Sequence, residues 1–152
     1  MTINPQGYLT HCCVLPRHRV IHIDDVANLT DTFNNHSFFV EFRDTLPDVC
    51  SGCESRRNNC LSTPLPSKWN RKIRFLEFTM SNACNATCSM CSSYFSSSWA
   101  AIDNEFPVSS LSESAYQKIL DVLPHLEHLV IKGGEPFLDR RNIKLLEKYL
   151  SE

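Results

Sequence analysis

The chain has 152 residues, 42% of them hydrophobic and 10% aromatic, enough for one packed domain or a domain with a small appendage. Its formal net charge of −2 gives no electrostatic footprint for a nucleic acid or an anionic membrane surface. No apolar run approaches the roughly 20 residues that a membrane helix needs. MTINPQGYLT at residues 1–10 lacks the basic and apolar regions of a secretory signal, so the reading is a cytoplasmic protein with reduced thiols.

Residues 1–10 show no periodic pattern and are expected to be loose. RVIHI at 19–23 alternates as a short strand does. Asp24 or Asp25 is placed to cap a helix carrying Val26, Leu29 and Phe33 on one face. Phe38, Phe39 and Phe42 suggest a second helix, ended by Pro47. DVCSGCESRRNNC at 48–60 is a polar loop rich in cysteine. LSTPLPSKWN at 61–70, with two prolines, reads as a linker and a boundary between segments 1–70 and 71–152.

The pattern sharpens beyond the linker. IRFLEFTM at 73–80 reads as a buried strand. CNATCSMC at 84–91 follows directly. Ser110 and Glu113 have capping-box spacing, and the helix they would open carries Leu111, Ala115, Ile119 and Val122 before Pro124 stops it. HLVIK at 128–132 is the next strand, followed by GGEP. RNIKLLEKYL at 141–150 predicts a helix with Ile143, Leu146 and Leu150 inward. Strand, helix, strand, helix in that order implies a parallel α/β unit with a right-handed crossover.

Eight cysteines, Cys12, Cys13, Cys50, Cys53, Cys60, Cys84, Cys88 and Cys91, are many for such a chain. At short spacings in a reducing compartment they favour metal binding over disulfides. Three thiolates on one loop, Cys84, Cys88 and Cys91, are soft donors suited to iron–sulfur clusters or zinc. A closed zinc site wants four protein ligands. On a four-iron cluster, three ligands leave one iron open to an external group. Gly133, Gly134 and Glu135 after the second strand add a backbone that a ligand can approach and a carboxylate that can accept from an ammonium group. Both motifs follow strands, at the end where parallel α/β folds bind ligands.

Cys84-x3-Cys88-x2-Cys91 and Gly133-Gly134-Glu135-Pro136, in this order, resemble the signature of radical S-adenosylmethionine (SAM) enzymes. The wider stretches around PDVCSGCESR, KIRFLEFTMSNACNATCSMCSSYFSSSW and LPHLEHLVIKGGEPFLD are similar to the twitch/SPASM-type members. The resemblance implies a [4Fe-4S] cluster on Cys84, Cys88 and Cys91, with SAM on the fourth iron and near Gly133, Gly134 and Glu135. Reductive cleavage of SAM would give a 5′-deoxyadenosyl radical that takes a hydrogen atom from a substrate. Where the family often has an aromatic residue against the adenine, this chain has Met90, which can pack there. The implied fold is the N-terminal part of a partial (β/α)6 barrel preceded by a small cysteine-containing α+β segment. The implied partners are an external electron donor and a peptide or small-molecule substrate.

Length sets a limit on activity. A strand–helix unit takes roughly 30 residues, judging from about 250 for eight, so residues 75–152 hold about two units. The chain is expected to be a truncated or split enzyme completed by a second polypeptide or by self-association, or a cluster protein without turnover. Cys50, Cys53 and Cys60, with Cys13 as a fourth ligand, suit an auxiliary iron–sulfur site; a zinc knuckle or free thiols are the alternatives. Cys50, Cys53, Cys88 and Cys91 also form two CxxC pairs, the pattern of a small non-catalytic zinc module. The six histidines and Arg17, His18 and Arg19 read as surface groups, the serines at 96–98 as a polar turn or helix start, and Trp69 and Trp99 as covers over joints between segments. No phosphate-loop motif is present.

Overall fold

The computed structural model describes residues 1–11, 21–44, 72–106 and 108–151. The linker 61–70, Pro47, Arg17 to Arg19, Trp69 and five cysteines (Cys12, Cys13, Cys50, Cys53 and Cys60) lie outside the described residues.

Residues 1–10, expected to be loose, are paired. Strand β1 (Thr2–Ile3) runs antiparallel to β2 (Leu9–Thr10), Thr2 facing Thr10 and Ile3 facing Leu9. The turn between them follows from residue chemistry. Asn4 Oδ1 accepts from the Gln6 and Tyr8 amides at 3.0 and 2.9 Å, and Gly7 takes φ +84°, a conformation closed to most side chains.

The strand expected over 19–23 is not formed by its described part. Ile21 O accepts from Leu9 N, His22 makes a single bridge to Tyr8, and Ile23–Asp25 is a 3-10 turn. His22 bends the chain: its Nε2 donates to Gln6 O at 2.8 Å while its Nδ1 accepts from Asp24 N. Helix α1 (Leu29–Asn35) is capped by Asn28, whose Oδ1 accepts from Asp31 N, not by Asp24 or Asp25. Helix α2 (Ser37–Asp44) buries Phe39 completely.

Strand β3 (Phe75–Thr79) buries Leu76 and Phe78 on one face and Glu77 and Thr79 on the other. Both neighbours run parallel to it: β1, with Thr2 facing Glu77, and β4 (His128–Lys132), with Thr79 facing Lys132. The sheet order is β2-β1-β3-β4. Between β3 and β4 the chain forms a short helix α3 (Ser97–Asp103) and then α4 (Glu113–Val122). The cap of α4 is Ser112, whose Oγ accepts from Ala115 N at 3.0 Å. Ser110, the expected cap, is occupied by a bridge to Ser81 and a bond from Arg141. A 3-10 turn, Leu123–His125, ends this helix at Pro124 as expected.

Helix α5 (Arg140–Ser151) follows β4. Its inward residues are Asn142 and Leu145, whereas the expected Ile143 and Leu150 are 40% and 75% exposed. The rotation follows from Asn142, whose Nδ2 donates to Pro136 O at 2.8 Å and turns that face toward the turn before the helix.

One cluster of buried residues joins Met1, Ile3, Leu9, Ile23, Leu29 and Phe39 to Leu76, Phe78, Ala115, Ile119 and Leu145. Each fully buried leucine, isoleucine or phenylalanine stabilises the fold by roughly 1.5–3 kcal/mol. The architecture is thus mixed α/β, a four-stranded mixed sheet with five helices among the described residues. No described helix is long and apolar enough to cross a membrane.

Candidate functional site

The two motifs leave the sheet at adjacent C-terminal strand ends. Past β3, Met80 is buried and its carbonyl accepts from Leu111 N at 2.8 Å. Asn82 is fully buried and pinned from three sides. Its N–H donates to Ser109 O, its Oδ1 accepts from Ser109 N at 2.8 Å, and its carbonyl accepts from Ser97 N at 2.8 Å.

The serines at the start of α3 then grip the cysteine loop by its backbone. Ser97 Oγ accepts from Cys84 N at 2.9 Å, and Ser98 Oγ donates to Cys84 O at 2.7 Å. Ser96 caps α3 and also donates to Ala86 O at 3.4 Å. Trp99 Nε1 donates to Cys88 O at 2.9 Å. Cys91 N donates to the same carbonyl at 3.0 Å, closing a turn over Ser89 and Met90. Main-chain groups are therefore tied down while the side chains stay outward. Cys88 is exposed, Cys84 and Cys91 are half-buried, and all three are free thiols. Met90 is 94% exposed.

The second motif fits against the first through absent side chains. Gly133 has φ +143°, and a Cβ there would strike Ser81 O. A Cβ on Gly134 would lie 2.6 Å from both Asn82 O and Cys84 Cβ, and against Ala83 O. Glu135 N donates to Ala83 O at 2.9 Å. The Glu135 carboxylate, expected to meet an ammonium group, accepts from Phe137 N at 3.2 Å through Oε1 and caps the Pro136–Leu138 turn.

Arg141 locks the assembly from behind. Its guanidinium donates to Leu111 O at 2.6 Å, to Ser110 Oγ at 2.5 Å, and to both oxygens of Asp139 at 3.1 and 2.7 Å. Such two-pronged pairing fixes orientation as well as distance. Hydrogen bonding from Arg141 holds the Asp139 carboxyl below its usual range against the opposing effect of burial, and the same bond raises Arg141. Burial, and next the charge of Glu113, raises Tyr116. On the sheet face away from the core, Lys132 pairs with the largely buried Glu77 at 2.9 Å. A small cavity of about 30 Å³ lies there, bounded by Thr2, Thr10, Thr79 and Phe95 as well as the pair.

The donor chemistry of Cys84, Cys88 and Cys91 fits a soft metal or an iron–sulfur cluster. Their arrangement is open: among the described residues no three Cys, His, Asp or Glu side chains are gathered closely enough to hold a metal ion. Binding one would require the loop to turn its sulfurs inward. The CxxC pairing of Cys50 and Cys53 with Cys88 and Cys91, and the auxiliary site on Cys50, Cys53 and Cys60, fall on residues outside those described. No protein-family model, curated protein or solved structure matches the chain.

From sequence alone, Ser96 to Ser98 read as a polar turn or helix start and Trp99 as a cover. Their role as anchors of the cysteine backbone had one local signal, a serine positioned to cap the helix that begins at Ser97. The reach of Arg141 across to Ser110 and Leu111 had none, since those acceptors are about thirty positions away and only its Asp139 partner is local.

Proposed function

We propose that the loop 84–91 holds a [4Fe-4S] cluster through Cys84, Cys88 and Cys91, and that SAM binds beside it along Gly133, Gly134 and Glu135. The observation that carries this reading is the direct seating of Gly134 and Glu135 on Asn82, Ala83 and Cys84. Two segments about fifty positions apart share one small region at the ends of neighbouring parallel strands, where ligands of such sheets collect. When bound, the cluster and SAM would supply reductive cleavage to a 5′-deoxyadenosyl radical. This chain's residues have a supporting task. Serine hydroxyls and the Trp99 indole hold the loop backbone, so the sulfurs can turn without moving β3. The glycines let the two loops seat directly on one another, so that backbone and not side chains lies where SAM would approach.

The parallel β3 and β4 with their helices correspond, in this reading, to the first two units of a partial (β/α)6 barrel. A second polypeptide supplying further units, an electron donor and a peptide or small-molecule substrate complete the proposal, in the cytoplasm.

Anaerobic reconstitution of the full chain with iron and sulfide tests it. A brown protein with iron near four per chain is expected, and Cys84→Ala, Cys88→Ala and Cys91→Ala should each lose most of it. SAM should perturb the paramagnetic resonance spectrum of the reduced cluster. Iron content unchanged in all three variants, or bound zinc without iron, would overturn the reading.

A further inference from the structure

We infer that Cys88 and Cys91 form a reversible disulfide with each other, in preference to Cys84, and that this linkage gates metal loading of the loop. The gating part rests on the cluster proposed above; the disulfide rests on the turn itself.

The geometry starts with the Cys91 N to Cys88 O bond of 3.0 Å. A four-residue turn closed in this way holds its end Cα atoms less than about 7 Å apart. A disulfide needs a Cα separation of roughly 4.4–6.8 Å, so the pair meets the span condition with little backbone movement. The residues between them, Ser89 and Met90, are both exposed, and no core packing resists adjustment of the turn.

Cys84 is placed differently. Its amide and carbonyl are both held by Ser97 and Ser98, and its sulfur contacts the amide and carbonyl of Ala86 at 3.4 and 3.3 Å. Reaching Cys88 would mean leaving those contacts. Exposure also separates the roles: Cys88 is open to solvent and Cys91 is half-buried.

The oxidant is a small disulfide of the glutathione type. The Cys88 sulfur loses its proton and attacks one sulfur of that disulfide, forming a mixed disulfide and releasing one thiol. The Cys91 sulfur then loses its proton and attacks the Cys88 sulfur, releasing the second thiol. Two protein thiols are oxidised and one small disulfide is reduced to two thiols, which take up the two protons. Two of the three sulfur donors are then unavailable to iron.

The test uses the full chain, metal-free and reduced, equilibrated in glutathione buffers of increasing oxidation. Free thiols are alkylated, and the digested peptides are mapped by mass. Cys88 should be linked to Cys91 with Cys84 alkylated, and Cys84→Ala should keep the linkage. The emission of Trp99, whose indole is bonded to Cys88 O, should change on oxidation and return on reduction. Cys84 found in the linkage, Cys88 or Cys91 joined to another cysteine, or both remaining alkylated throughout would overturn the disulfide. In the second arm, with the iron held by a Cys84→Ala, Cys88→Ala, Cys91→Ala triple variant subtracted, oxidised protein should take up roughly a tenth or less of the iron bound by reduced protein, since the one thiolate left on the loop cannot hold a cluster. Equal uptake with the linkage mapped would overturn the gating. No uptake by reduced protein would refute the cluster reading and the gating with it, while the peptide map would still decide the disulfide.

Discussion

The loops that leave β3 and β4 sit side by side and are built on opposite principles. After β3 the backbone is fastened by hydroxyl and indole donors, and the side chains of Cys88 and Met90 stand out in solvent. After β4 the side chains are missing: Gly133 and Gly134 bring bare backbone against Ser81, Asn82 and Cys84. The first loop presents chemistry, and the second makes room. The difference teaches that substitutions will fail for different reasons in the two loops. In the first, sulfur can be removed with little harm to folding. In the second, even one methyl group has nowhere to go.

The sharpest way to break this contrast is Gly134→Ala. Its Cβ would press on backbone oxygens of Ala83 and Asn82 and on Cys84 Cβ, none of which can swing away. A loss near the upper end of the roughly 1–3 kcal/mol typical of overpacking is expected, read as a lower urea midpoint. An unchanged midpoint would mean that the two loops do not touch. Asn82→Ala comes next. It removes the acceptor of the Ser109 amide at a fully buried position, and leaving such a donor unpaired costs about 2 kcal/mol. The smallest effect belongs to Asp139→Asn, under about 1 kcal/mol at neutral pH once solvent screening is counted.

That last pair has a signed pH dependence. The Arg141 bond depresses the folded-state value of Asp139. Its contribution is therefore whole above the ordinary aspartate range and is lost as pH falls through the depressed folded value. Acid unfolding curves of Asp139→Asn should be flatter over that window. Curves that superimpose would show that the clamp adds nothing.

Much of the sheet was legible because β3 and β4 are short, mostly apolar runs followed by polar turns, a signal that needs no knowledge of the rest of the chain. The N-terminal strands were not, because two-residue strands of threonine, isoleucine and leucine carry no period. Their pairing is fixed by β3, far away in sequence. Helix α5 shows a subtler failure. Ile143, Leu146 and Leu150 make a good apolar stripe, but the buried stripe was chosen by a polar residue, Asn142, with a fixed partner at Pro136. Of the site, Cys84, Cys88, Cys91, Gly133 and Gly134 were readable from spacing and residue type. The supports at Asn82, Ser98 and Arg141 were not, because a single asparagine, serine or arginine looks like a surface residue until its partner is known.

The parallel contact between β1 and β3 has a consequence for how the chain reaches this state. The Met1 amino group donates to Phe75 O, 74 positions onward, whereas β1 meets β2 within ten residues. Closing so wide a loop carries an entropic penalty before any pairing repays it, and contacts of long sequence separation slow folding. The β1–β2 pair therefore gains its second neighbour only after residues 75–79, which lie far along the chain, have been made.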